Sequence, residues 1–69
     1  MIQGFQEGET YTNPKLDHDI MVLGIAKETD SSVTLAILKV DRASEETSGG
    51  GQLTVNHADY GDWTLVQFD

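Results

Sequence analysis

The chain has 69 residues, with four Lys and Arg against twelve Asp and Glu, which leaves a formal charge of −8 and a pI near 4.3. It has no cysteine, which excludes a disulfide framework, a thiolate zinc site and a cysteine nucleophile. Lys15, Lys27, Lys39 and Arg42 are its whole supply of cations, too few to track a phosphate backbone or to dock on anionic lipid.

The length fits one small domain over 1–69, since independent domains rarely fall below about 50 residues. Val, Ile, Leu and Phe supply 17 residues, enough apolar material for a core but little for a deep catalytic cleft. No apolar run approaches the roughly 20 residues that span a bilayer, and no basic, apolar leader opens the sequence. The expectation is therefore a cytoplasmic domain, neither secreted nor membrane-bound.

Strand signals dominate: Val, Ile and Thr total 16, and no long stretch carries a helical stripe. Met1 to Phe5 reads as a short edge segment. Gly8 to Asn13 reads as a strand halted by Pro14, whose missing N–H cannot serve a central ladder. His18 to Lys27 and Val33 to Arg42 form an antiparallel hairpin across Glu28-Thr29-Asp30-Ser31-Ser32.

Within that hairpin the apolar face moves from Ile20 and Val22 to Leu23 and Ile25, and from Val33, Leu35 and Ile37 to Leu38 and Val40. Such a switch at one level in both strands predicts a bulge or bend near Val22-Leu23 and Ile37-Leu38, with Gly24 as hinge. Asp41 to Gly51 is polar and glycine-rich and reads as a loop, mobile over about 43–51. Gln52 to Asn56 gives a further strand. His57 to Asp62 makes one tight helical turn capped by Asn56, and Trp63 to Phe68 closes the chain as the last strand.

Five strands with a long central hairpin and one helical turn before the last resemble the Src-homology-three-like small barrels. The spacing Phe5-x-x-Gly8-x-x-Tyr11 is similar to the entry of such barrels, and Gly51 to Tyr60 resembles their approach to the last strand. The resemblance implies an all-β fold, a small five-stranded barrel. The Ala-Leu-Tyr-Asp-Tyr stretch and tandem tryptophan of the signalling members are missing, so their proline-peptide groove does not carry over. In size, acidity and lack of cysteine the chain is also similar to short acidic proteins of tailed bacteriophages, marine ones included. That similarity implies the cytoplasm of a bacterial host.

Chemistry-bearing clusters are sparse. Asp17-His18-Asp19 and His57-x-Asp59 with Asp62 hold both histidines, but neither segment has a spacing that aims two ligands at one metal. Ser31 and Ser32 are turn formers, Ser44 and Ser48 are loop residues, and Glu45-Glu46 are adjacent rather than opposed across a cleft. No enzyme, metal or cofactor is expected.

Tyr11, Tyr60 and Trp63 are amphipathic aromatics suited to an interface, with Asp62 beside them. The expected function is a non-enzymatic interaction module, its acidic surface engaging a basic patch on another protein through Tyr11, Tyr60, Asp62, Trp63, Glu45 and Glu46. Two alternatives stay open: a small structural subunit of a virion or larger assembly, and an acidic decoy that occupies a nucleic-acid-binding surface. Oligomeric state is not encoded in any of these signals.

Overall fold

Within residues 4–67, which the computed structural model describes, the chain forms one antiparallel sheet of five strands and a short 3-10 helix. The strands are β1 (Thr10–Thr12), β2 (Asp19–Glu28), β3 (Ser32–Val40), β4 (Thr47–Asn56) and β5 (Thr64–Val66), and the 3-10 helix (His57–Asp62) lies between β4 and β5. Their order across the sheet is β4-β3-β2-β1-β5. The short β1 thus sits between β2 and β5, with Tyr11 opposite Ile20 on one side and Leu65 on the other. The edge segment expected over Met1 to Phe5 lies partly outside the described residues; Gly4 and Phe5 are not in a strand.

The central hairpin forms because alternation and turn chemistry agree. Val33, Leu35 and Ile37 place every second side chain in the core, as the period of an extended strand requires. At the turn, the Thr29 hydroxyl accepts the Ser32 N–H at 3.0 Å and the Ser31 N–H at 3.3 Å, and the Thr29 N–H reaches the Ser32 carbonyl at 2.8 Å. A threonine hydroxyl in this position mimics a backbone turn.

The pairing next to the turn sets Glu28 opposite Val33 and Lys27 opposite Thr34. Two register shifts follow, between Ile25 and Lys27 and between Val22 and Gly24, so that Val22 comes to face Ile37. Ala26 and Leu23 are the extra residues, and each sharpens the local twist. The irregularity expected at Val22-Leu23 is therefore present. The face switch is not carried through on β2, because Leu23 and Ile25 are 46% and 50% exposed. A bulge residue leaves the ladder without crossing to a second layer, and Ile25 stands on the core-facing side of the sheet beyond the end of the short β1. On β3, Leu38 is half-buried and Val40 buried.

The glycine-rich segment departs most from expectation. β4 begins at Thr47 rather than Gln52, so residues 47–51 are part of the ladder and the connection shrinks to 41–46. Thr47 pairs with Val40, Gly50 with Leu38 and Gly51 with Ile37. A register shift between Leu38 and Lys39 leaves Gly49 as the extra residue, with a φ of 49°. A left-handed residue in a bulge is a glycine position.

Gly49→Ala should therefore cost about 1 kcal/mol, the usual strain of a β-carbon in this conformation. Gly51 has no positive φ, and a β-carbon there would meet nothing within 4 Å. Gly51→Ala should leave stability unchanged or slightly raised by reducing chain entropy in the unfolded state. Urea melts of the two variants side by side check this; equal losses would place the bulge elsewhere.

The core gathers Phe5, Tyr11, Ile20, Val22, Val33, Leu35, Ile37, Val55 and Trp63, with Leu16, Leu53, Tyr60 and Leu65 packed at its border. Ahead of β1, the Glu9 N–H closes a turn on the Gln6 carbonyl at 3.2 Å, with Gly8 at φ 87°. That geometry admits glycine at the third turn position. The turn returns Phe5 to the core, where its ring meets three others edge-on: Tyr11 at 4.7 Å, Tyr60 at 5.4 Å and Trp63 at 5.5 Å between centroids.

Candidate binding groove

The β1–β2 connection is a folded segment tied down at several points. The buried Asn13 accepts the Lys15 N–H on its side-chain oxygen at 2.9 Å and the Leu16 N–H on its carbonyl at 3.0 Å, turning the chain just past β1. This turn carries Lys15 and Leu16 toward the 3-10 helix. The helix is fixed at its own start, where the His57 N–H donates to the Ser31 carbonyl at 2.8 Å. Asn56 precedes it in extended conformation but makes no side-chain capping bond, contrary to the role expected of it.

Between these two segments and the end of β4 runs an open groove of about 250 Å³. Asn13, Lys15 and Leu16 form one wall; Leu53, Thr54 and Val55 form the other; Asp59, Asp62 and Trp63 close the end. The Lys15 ammonium reaches from its wall to Asp62 at the closed end, at 3.0 Å. That hydrogen bond, then the Asp62 charge, holds the lysine pKa above its ordinary value, with Asp59 adding a smaller contribution. Lys15 is thus paired with Asp62, and Asp59 lines the same groove without bonding the ammonium.

The six expected interface residues are scattered. Tyr11 is buried, with its hydroxyl accepting the Gln6 N–H at 2.8 Å, and Trp63 is 4% exposed against Phe5; both are core residues before they are anything else. Only an edge of Trp63 reaches the groove. Asp62 is half-buried at the groove mouth. Tyr60 lies outside the groove lining, its ring tilted against His57 at 5.2 Å, and desolvation raises its phenol pKa with a smaller contribution from Glu28.

Glu45 and Glu46 are exposed at the far end of β4, a strand of ten residues and so on the order of 30 Å from the helix. The acidic pair and the aromatic cluster are therefore not one site. Sequence reasoning missed Lys15, Leu16 and Leu53, which line the groove, and Arg42, which braces its rim. Asn13-Pro14 followed by a lone Leu was the available signal for an ordered turn.

The two histidine segments stay apart in role. His18 Nδ1 bonds the Asp17 carboxylate at 2.7 Å, which lowers the Asp17 pKa, while His57 Nε2 is buried with no hydrogen-bond partner. Among the described residues no three His, Asp or Glu side chains converge as a metal site would require. Comparison with known proteins finds no matching family model, no matching curated protein and no matching solved structure.

The 41–46 connection is also ordered by a carboxylate. Asp41 Oδ1 accepts the Ala43 N–H at 2.8 Å and the Ser44 N–H at 3.0 Å. The bonds from Ser44 and then Ala43 favour the charged form and lower the Asp41 pKa. A carboxyl lowered on folding contributes stability above its unfolded value and loses it as pH falls through the folded one. The amide shifts of Ala43 and Ser44 should therefore titrate with a midpoint below about 3.9, the ordinary aspartate value. Asp41→Asn should abolish that transition; a midpoint at the ordinary value would mean the two bonds are not formed in solution.

Proposed function

We propose that this chain is a non-enzymatic protein-interaction module, a Src-homology-three-like barrel that takes a basic side chain of another protein into the groove beside its 3-10 helix. The barrel reading rests on the strand order, on β1 pairing with both β2 and β5, and on the bulges of β2 and β4. Strands that bend in this way are what a small barrel needs.

The observation that carries the function is the groove itself. Its lining combines the apolar Leu16, Leu53, Val55 and Trp63 with three charged residues, of which Asp59 and Asp62 outnumber Lys15. A lysine or arginine suits this shape, since its stem is apolar and its head cationic. At about 250 Å³ the groove falls below the roughly 300–1,000 Å³ of small-molecule sites, which favours one side chain of a larger partner over a free metabolite. The net charge of −8 attracts a basic partner over about 8–10 Å at physiological salt.

Affinity capture from a candidate host, with the protein as bait, tests the reading. A captured basic partner should bind Asp59→Lys about tenfold more weakly, chiefly through a slower on-rate, because Asp59 is an exposed rim charge. Tyr60→Ala should leave that affinity within about twofold, since Tyr60 stands outside the groove. If Tyr60→Ala abolishes binding while Asp59→Lys does not, the aromatic helix surface is the site and the groove is not.

A further inference from the structure

The groove is lined by three consecutive residues of one strand. Side chains of neighbouring strand residues point to opposite faces of a sheet, so a hollow against one face meets every second residue. Leu53, Thr54 and Val55 all line this one. Val55 faces the core and Thr54 the opposite side, where its hydroxyl bonds Thr34 Oγ1 at 2.9 Å. The groove therefore runs along the outer edge of β4 rather than across a face of the sheet.

That edge has no partner strand among the described residues: β4 pairs with β3 alone and ends the sheet. An edge of this length is usually guarded by lysine, proline or an inward charge. Thr47 to Asn56 has none of these, in a chain with sixteen charged residues elsewhere. Its irregularity is confined to Gly49, away from the groove.

We infer that the partner enters as an extended segment that adds a strand to the outer edge of β4. The inference rests on the reading of the groove as a protein-docking site and specifies how the site is filled. Main-chain hydrogen bonds to β4 supply affinity that is indifferent to sequence, and one side chain of the added strand descends between Leu16 and Val55. The charges at the two ends of β4 set the kind of segment: Glu45 and Glu46 precede it, and Asp59 and Asp62 follow it. The occupant is thus uncharged in the middle and basic at both ends. A second copy of this chain would bring acids against acids at both ends and is disfavoured.

The probe is a ten-residue peptide of alternating threonine and valine between lysine pairs, in its plain form and in two forms N-methylated on alternate residues. In an added strand only every second amide faces β4. One methylated form should therefore bind at least tenfold more weakly than the plain peptide, and the other within twofold. Amide hydrogen exchange in Leu53–Val55 should slow only with the forms that bind. Absence of binding by the plain peptide overturns the inference, and so does equal binding by both methylated forms. Asp59→Lys separates the two readings. Equal binding by both forms that Asp59→Lys weakens keeps the acidic groove and removes the added strand. Phase-selective binding that Asp59→Lys leaves unchanged keeps the strand and removes the acidic groove.

Discussion

Trp63→Ala is expected to remove a large share of the protein's stability. The indole is 4% exposed, meets the Phe5 ring edge-on at 5.5 Å and links the 3-10 helix to β5, which ends the β1 side of the sheet. Truncating a buried aromatic to alanine costs about 3–5 kcal/mol, through lost transfer energy and an incompletely collapsed cavity. A chain of this length has roughly 3–10 kcal/mol in all.

Trp63→Phe keeps an edge-on partner for Phe5 and should cost about half as much. Tyr60→Ala removes a half-buried ring from the same cluster and should cost about 1–2 kcal/mol, leaving a folded majority. Circular dichroism in urea reads all three. A Trp63→Ala loss below about 1.5 kcal/mol would show that the tryptophan is a surface residue and return it to the list of interface candidates. This separation also decides which aromatic can serve as a binding probe. A substitution that costs this much stability confounds folding with binding, so Trp63 is a poor probe of the groove.

The parts of the fold that were legible in the sequence are those where side-chain period and turn chemistry coincide. Val33, Leu35 and Ile37 alternate with polar or small neighbours, and the Glu28 to Ser32 stretch supplies a hydroxyl turn, so the β2–β3 hairpin could be read directly. The bulge beside Val22 was readable because an apolar residue broke the alternation there. What it does to Leu23 was not, since leaving the ladder and crossing to another layer give the same pattern in sequence.

The first half of β4 was illegible for a plain reason: three successive glycines carry no side-chain period at all. Gly50 and Gly51 join the ladder because Leu38 and Ile37 of β3 offer backbone partners, a tertiary cause that composition does not record. The candidate site was legible only as a neighbourhood. Aromatic character marked Tyr11 and Trp63 for an interface, but the same character fills cores, and Phe5 draws both inward. Lys15, Leu16 and Leu53 are ordinary residues that become a site only where three segments meet.

Arg42 is the second large effect and the least conspicuous in sequence. It stands just past β3 as a lone basic residue. Its Nε donates to Asp19 Oδ1 at 2.7 Å, and its Nη2 reaches the Asn13 carbonyl at 2.9 Å, Thr12 Oγ1 at 3.2 Å and the His18 carbonyl at 3.2 Å. One guanidinium thus fastens both ends of the β1–β2 connection to the end of the hairpin. Bonds to a charged donor contribute about 1.5–3 kcal/mol where they are shielded, and exposed ion pairs much less. Arg42 is 38% exposed and Asp19 15%, so Arg42→Ala should cost about 2 kcal/mol.

Arg42→Lys keeps the charge but offers a compact ammonium that cannot span Asp19 and the two carbonyls together, so it should recover less than half of that loss. The loss should also be local before it is global. Amides of residues 15–18 should exchange faster in Arg42→Ala, whereas those in the centre of β3 should change only as overall stability does. Because Lys15 and Leu16 form one wall of the groove, partner binding should weaken in the same variant although Arg42 does not line it. If Arg42→Lys behaves like the parent in both stability and exchange, the guanidinium acts only as a charge and the connection is held by its Asn13 turn alone.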